Sequence, residues 1–146
     1  MNSITRTWLT WKHARKFARL GARCVFPVPA LYIEGHVEMG ELCRLRNNVT
    51  LRAHPGGRII FGNRSGCSWG CLIDARSEIY IGNYTGIAEF TCLCDSRLPL
   101  IGHTDGWREA TPEPAPIHVG DNCFIGSACY IGPGVTIGEG AVIAHH

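Results

Sequence analysis

The sequence predicts an all-β chain built from short repeated turns, and three observations predict it. Eighteen glycines occur without any Gly-X-Y triplet register, so they serve turns that recur rather than a collagen helix. Val119, Ile125, Ile131, Ile137 and Ile143 stand six residues apart, with Gly120, Gly126, Gly132 and Gly138 directly after the first four. Four residues after those same starts come Cys123, Cys129, Val135 and Ala141. The unit is an aliphatic residue, glycine, two variable residues, a small residue and one more variable residue. A period of six fits neither a helix nor plain strand alternation, so each unit is a short strand plus a turn, and three units close a triangular coil. The fold class is a left-handed parallel β-helix.

Upstream, the unit returns as Ile33, Met39, Leu45 and Leu51, with Val37, Cys43 and Val49 in the small or β-branched place. It continues through Phe61-Gly62-Asn63-Arg64-Ser65, Cys67 to Cys71, Ile81-Gly82-Asn83-Tyr84-Thr85 and Ile87, Thr91, Leu93, with extra residues near Ile73-Asp74-Ala75-Arg76 shifting the register. The repeat covers roughly 33–93 and 119–146. The aliphatic residue points inward, the fifth is small because the interior is narrow, and the glycine is expected to relieve the backbone at the corner. Cys43, Cys67, Cys71, Cys123 and Cys129 fall on inward places, where buried thiols act as small hydrophobes. Cys92 and Cys94 flank inward Leu93, and a Cys-x-Cys alone is a weak metal signal. No metal is expected.

Ahead of the coils, residues 1–32 form a basic helix and cap. Ile4, Trp8, Trp11, Ala14 and Ala18 share one helical face within 4–20, Gly21 ends the helix, and Pro27 and Pro29 introduce the first coil. Residues 1–23 carry Arg6, Lys12, Arg15, Lys16, Arg19 and Arg23 and no acid, although the whole chain is only +2, so the body is mildly acidic. The helix is expected to shield the open end of the solenoid, with contact to an anionic membrane surface as the other reading. No stretch is apolar enough to span a bilayer and no secretory signal is evident, so the sequence is read as cytoplasmic, peripheral at the inner face of the membrane if the helix touches lipid.

Two further segments break the period. His54-Pro55-Gly56-Gly57 reads as a turn with His54 exposed. The loop at about 95–116, with Pro99, Pro112, Pro114 and Pro116, is too polar for core and too long for a corner, and such loops on rigid scaffolds often carry function. It holds one histidine, in Gly102-His103-Thr104-Asp105-Gly106-Trp107.

The stretch from Ile117 to Ser127, followed by Ile131-Gly132-Pro133-Gly134-Val135-Thr136-Ile137-Gly138 and Ala141-Val142-Ile143, resembles the hexapeptide-repeat acyltransferases, and among them the maltose, galactoside and surface-polysaccharide O-acetyltransferases. The resemblance covers most of the chain after residue 32. It implies a homotrimer that takes acetyl-coenzyme A as donor and a sugar or surface-polysaccharide precursor as acceptor, with no nucleic-acid partner. It also implies an active site between subunits with a loop histidine as general base. His103 takes that place, and Ser127 and His145, one eighteen-residue coil apart, would face the pantetheine arm. The loop length differs from the family's, and His145 stands where the family has a small residue. The chain also ends at His145-His146, where the family adds a partial coil and a basic segment near coenzyme A. Independently of the family, removing a hydroxyl proton as the alcohol attacks a thioester calls for a base with a near-neutral pKa, which histidine supplies. Asp105, ahead of Asp95, is the candidate to orient its ring. A non-catalytic scaffold or inactive paralogue is the alternative. A zinc enzyme of the γ-carbonic anhydrase type is disfavoured because adjacent His145 and His146 are poor geometry for two ligands on one strand.

Overall fold

The computed structural model describes residues 3–26, 29–99 and 110–146, which wind into a parallel β-solenoid of about six turns. Its three faces are parallel sheets. The first stacks Arg19–Leu20, His36–Met39, Arg58–Phe61, Glu78–Ile81, Ile117–Val119 and Thr136–Ile137. The second stacks Arg44–Leu45, Gly66–Cys67, Gly86–Ile87, Phe124–Ile125 and Val142–Ile143. The third stacks Leu31–Glu34, Val49–Ala53, Leu72–Ala75, Cys92–Cys94 and Tyr130–Ile131.

Strand register turns the six-residue period into ladders. Met39, Phe61, Ile81, Val119 and Ile137 stack along the first face, Leu45, Cys67, Ile87 and Ile125 along the second, and Ile33, Leu51, Ile73, Leu93 and Ile131 along the third. All of these are buried in one continuous core. The periodic core expected from the sequence is therefore present.

The small inward places do more than fill space. Cys24 Sγ donates to the Gly40 carbonyl, Cys43 Sγ to Gly62, Ser65 Oγ to Gly82, Thr85 Oγ1 to Gly120 and Cys123 Sγ to Gly138, always one coil on. Cys71, Thr91 and Cys129 do the same for Ala88, Gly126 and Ala144 at the next corner. At these two corners a carbonyl faces the narrow interior, and a residue that is small and carries one donor satisfies it. That is why Cys, Ser and Thr alternate freely at these places.

The glycine after the aliphatic residue serves a purpose other than the one expected. A Cβ at Gly62 would lie 2.7 Å from the Asn83 backbone nitrogen, and one at Gly82 2.5 Å from the Gly120 carbonyl carbon. The next coil passes too close for a side chain. The left-handed backbone sits two residues later, at Leu42, Arg64, Tyr84 and Asn122, with φ between 54° and 59°. Outside this corner Asn63 Oδ1 accepts from Glu41 N, Asn83 Oδ1 from Asn63 N, and Asp121 from both the backbone and side-chain nitrogens of Asn83. These Asn83 bonds, the side-chain one first, hold the Asp121 carboxyl below its usual range.

The N-terminal helix, Ser3–Ala14, stops well before Gly21. Ala18 N and Gly21 N donate to the Val37 and Met39 carbonyls, and Arg19–Leu20 pairs with Glu38–Met39, so residues expected to be helical supply an edge strand instead. The open edge at His36–Met39 offers unpaired backbone groups, and satisfying them outweighs two more helical turns. The buried helical face is also not the expected one. Leu9 and His13 pack inward, and Phe17 stacks on Phe26 at 5.2 Å, whereas Trp8 and Trp11 point to solvent.

Candidate active site

The long loop leaves the solenoid from the third face and returns to the first through a built base. Ser96–Arg97 pairs antiparallel with Glu113–Pro114, Arg97 Nε lies 3.4 Å from Glu113 Oε2, and Ala115 N donates to the Asp95 carbonyl at 2.7 Å. Asp95 is fully buried, and its two carboxylate oxygens accept from the backbone nitrogens of Arg76 and Ser77, each at 2.7 Å. Both oxygens hold this turn, which gives the buried Asp95 carboxylate a structural role at the root of the loop. His103 and Asp105 lie outside the described residues.

Beside that base is a cavity of about 450 Å³ on the third face, lined by residues that include His54, Asp74, Arg76, Cys92, Leu98, Pro112 and Tyr130. His54, expected to be exposed, is half-buried instead, and its Nε2 lies 2.9 Å from Asp74 Oδ1. Arg52 Nε sits 2.8 Å from the other Asp74 oxygen. A carboxylate beside an arginine accepts, so Nε2 of His54 is the donor in this contact. The cluster forms because outward places on successive coils stack: Arg52 pairs in register with Asp74, and Asp74 with Cys94. Burial pushes the Cys92 thiol up, with Cys94 and Asp74 adding to the effect, and burial likewise raises the Tyr130 phenol. Both therefore stay protonated at neutral pH.

Ser127 and His145 occupy one corner ladder, as their spacing requires. Backbone bonds from Phe90 to Trp69, from Ala128 to Glu89 and from His146 to Ser127 place Trp69, Glu89, Ser127 and His145 on successive coils. Glu89 is the member that sequence reasoning passes over. Its carboxyl is held below the usual range first by its own backbone N–H and then by the hydroxyls of Ser127 and Ser68. Three residues beyond Ser127, Tyr130 begins the third face at the cavity, so ladder and cavity adjoin. Among the described residues no three His, Cys, Asp or Glu side chains are grouped to hold a metal ion.

Residues 116–144 match the family model described as the hexapeptide repeat of succinyl-transferase. No curated protein sequence matches the chain. Among solved structures, the N-acyltransferase AntD of Bacillus cereus shares the fold. A serine-to-threonine mutant of AntD, in complex with dTDP and coenzyme A, has a TM-score of 0.76 at 17% identity, over 92% of this chain and 73% of that one. A serine-to-cysteine mutant, with dTDP-4-amino-4,6-dideoxyglucose and coenzyme A, gives 0.62 at 18% identity over 92% and 75%. AntD with dTDP and 3-hydroxybutyryl-CoA gives 0.61 at 17% identity over 92% and 73%. At these identities the likeness is one of fold. The chain shares the fold of these acyltransferase structures, and its residues 116–144 match the hexapeptide repeat.

Proposed function

We propose that the protein is an acyltransferase that moves an acyl group, acetyl in the simplest case, from a coenzyme A thioester to a hydroxyl of a sugar or surface-polysaccharide precursor. The observation that carries this reading is the cavity at the base of the long loop, with a fixed His54–Asp74 pair in its wall, on a solenoid that structural neighbours use to hold coenzyme A. The donor's pantetheine arm carries amide N–H groups, and Glu89 with Ser127 offers a carboxylate and a hydroxyl that suit such amides. An anionic carboxylate does not suit the donor's phosphates, so those groups belong elsewhere on the surface.

In this reading His103 is the general base and Asp105 orients its ring. The base takes the acceptor hydroxyl proton as the oxygen attacks the thioester carbonyl. The carbon–sulfur bond breaks, and the proton passes to the departing thiolate, giving ester and free coenzyme A. No metal is needed. His54 is a second candidate base, favoured by its 2.9 Å contact with Asp74 in the cavity wall. The protein works as a homotrimer with the site completed by a neighbouring subunit.

The test is incubation of purified protein with acetyl-coenzyme A and a panel of neutral sugars, oligosaccharides, nucleotide sugars and amino sugars, with products analysed by mass spectrometry. An added acyl group that mild alkali removes is the expected ester. An alkali-stable amide would assign N-acylation, and no product across the panel would favour the non-catalytic scaffold.

A further inference from the structure

The N-terminal helix shows a surface that acyl transfer does not use. Leu9 and His13, four residues apart, are buried, and Thr10 Oγ1 accepts from Phe26 N at 3.2 Å, so one side of the helix is tied to the end of the solenoid. The other side holds Trp8 and Trp11, which are 56% and 57% exposed. Two large indoles three residues apart form a ridge, unlike a singly exposed apolar residue. Lys12 Nζ lies 5.6 Å from the Trp8 ring centroid and Arg15 Cζ 4.6 Å from that of Trp11. Each indole therefore carries a cation, and Lys16, Arg19 and Arg23 are exposed nearby. No acid occurs in residues 1–23.

Charge decides what such a ridge meets. Apart from Glu38, which lies 4.0 Å from Arg19, this tip is basic, so a second copy packed around a symmetry axis near it would set predominantly basic surfaces against each other, and like charges brought together repel. An anionic bilayer surface matches the tip in both respects. Its headgroups attract the cations, and its interface is where the amphipathic indole ring rests most favourably. The helix spans twelve residues, and no described helix is long and apolar enough to cross a membrane, so contact would be along the surface.

We propose that the face formed by Trp8, Trp11, Lys12 and Arg15 docks the protein on anionic membrane surfaces. Docking places an enzyme for surface-polysaccharide precursors where lipid-linked acceptors are found; that consequence rests on the proposed function, whereas docking itself does not. The test is co-sedimentation of the full chain with vesicles of phosphatidylcholine containing one-third phosphatidylglycerol, against pure phosphatidylcholine vesicles. The wild type is expected to bind the mixed vesicles at about 50 mM salt, to lose most binding at about 500 mM as charges are screened, and to ignore the neutral ones. Trp8→Ala/Trp11→Ala and, separately, Lys12→Glu/Arg15→Glu should each weaken binding by about tenfold or more. Their melting temperatures should match the wild type because these side chains are exposed. Wild type that fails to bind at low salt overturns the proposal, as does binding unaffected by either pair. So does a tryptophan variant whose light-scattering mass falls, because the ridge would then be a subunit contact. Acyl transfer is not a readout, so failure here leaves the functional reading standing.

Discussion

Thr91 illustrates how single residues hold the solenoid. It is fully buried, donates to the Gly126 carbonyl at 2.7 Å, and accepts from Cys129 N at 3.3 Å. Its neighbours in the same ladder are Cys71 and Cys129. From the sequence these places read as small and apolar, because a period reports size and not hydrogen bonding. Cysteine therefore reads as filler, although it is also a donor. The difference is measurable. Thr91→Val keeps the shape but leaves the Gly126 carbonyl and the Cys129 N–H unpaired in the core, and should destabilise the protein by about 1–3 kcal/mol. Denaturant unfolding is the measurement, with an unchanged m-value showing that compactness is kept. A variant as stable as wild type would mean that the ladder contributes nothing beyond packing.

At the scale of elements, the repeat is legible wherever spacing alone determines position, and the site is not. Coils of eighteen residues are evident in Val119 and Ile137, which pair in register, yet Met39, Phe61 and Ile81 are 22 and 20 residues apart. Those added residues build the corner that brings His54 to Asp74. A contact between residues 54 and 74 depends on the length of one irregular coil, so His54 reads locally as an exposed turn. The helix face is misread for a related reason: its apolar periodicity includes tryptophans, but the solenoid end accepts only the slimmer Leu9 and His13 side. Asp95, the lesser candidate to orient a catalytic ring, instead fixes the root of the loop. Asp95→Ala strands two backbone donors and should lower stability by about 3 kcal/mol. It should also reduce acyl transfer, because the strand pair at the base of the loop rests on this turn. Calorimetry and turnover on one preparation check both, and full activity in a destabilised variant would separate the loop's root from its function.

For the whole molecule, the three-sided solenoid presents flat faces, and the proposed site is completed by a neighbour. A homotrimer follows from that proposal, and light scattering at micromolar concentration should return three times the chain mass of 16.0 kDa. A monomer that retains full turnover would remove the shared site. Most direct is the comparison of kcat/KM for acyl transfer in wild type, His103→Ala and His54→Ala, with melting temperature as the control for folding. Loss of a general base lowers the rate by about a hundred- to ten-thousand-fold, and this drop is expected for His103→Ala at a near-wild-type melting temperature. His54→Ala should change KM more than kcat if it lines the acceptor cavity. The same fall in kcat for His54→Ala, with His103→Ala unaffected, would move the base to the His54–Asp74 pair. Turnover unchanged in both variants would contradict histidine-assisted acyl transfer altogether.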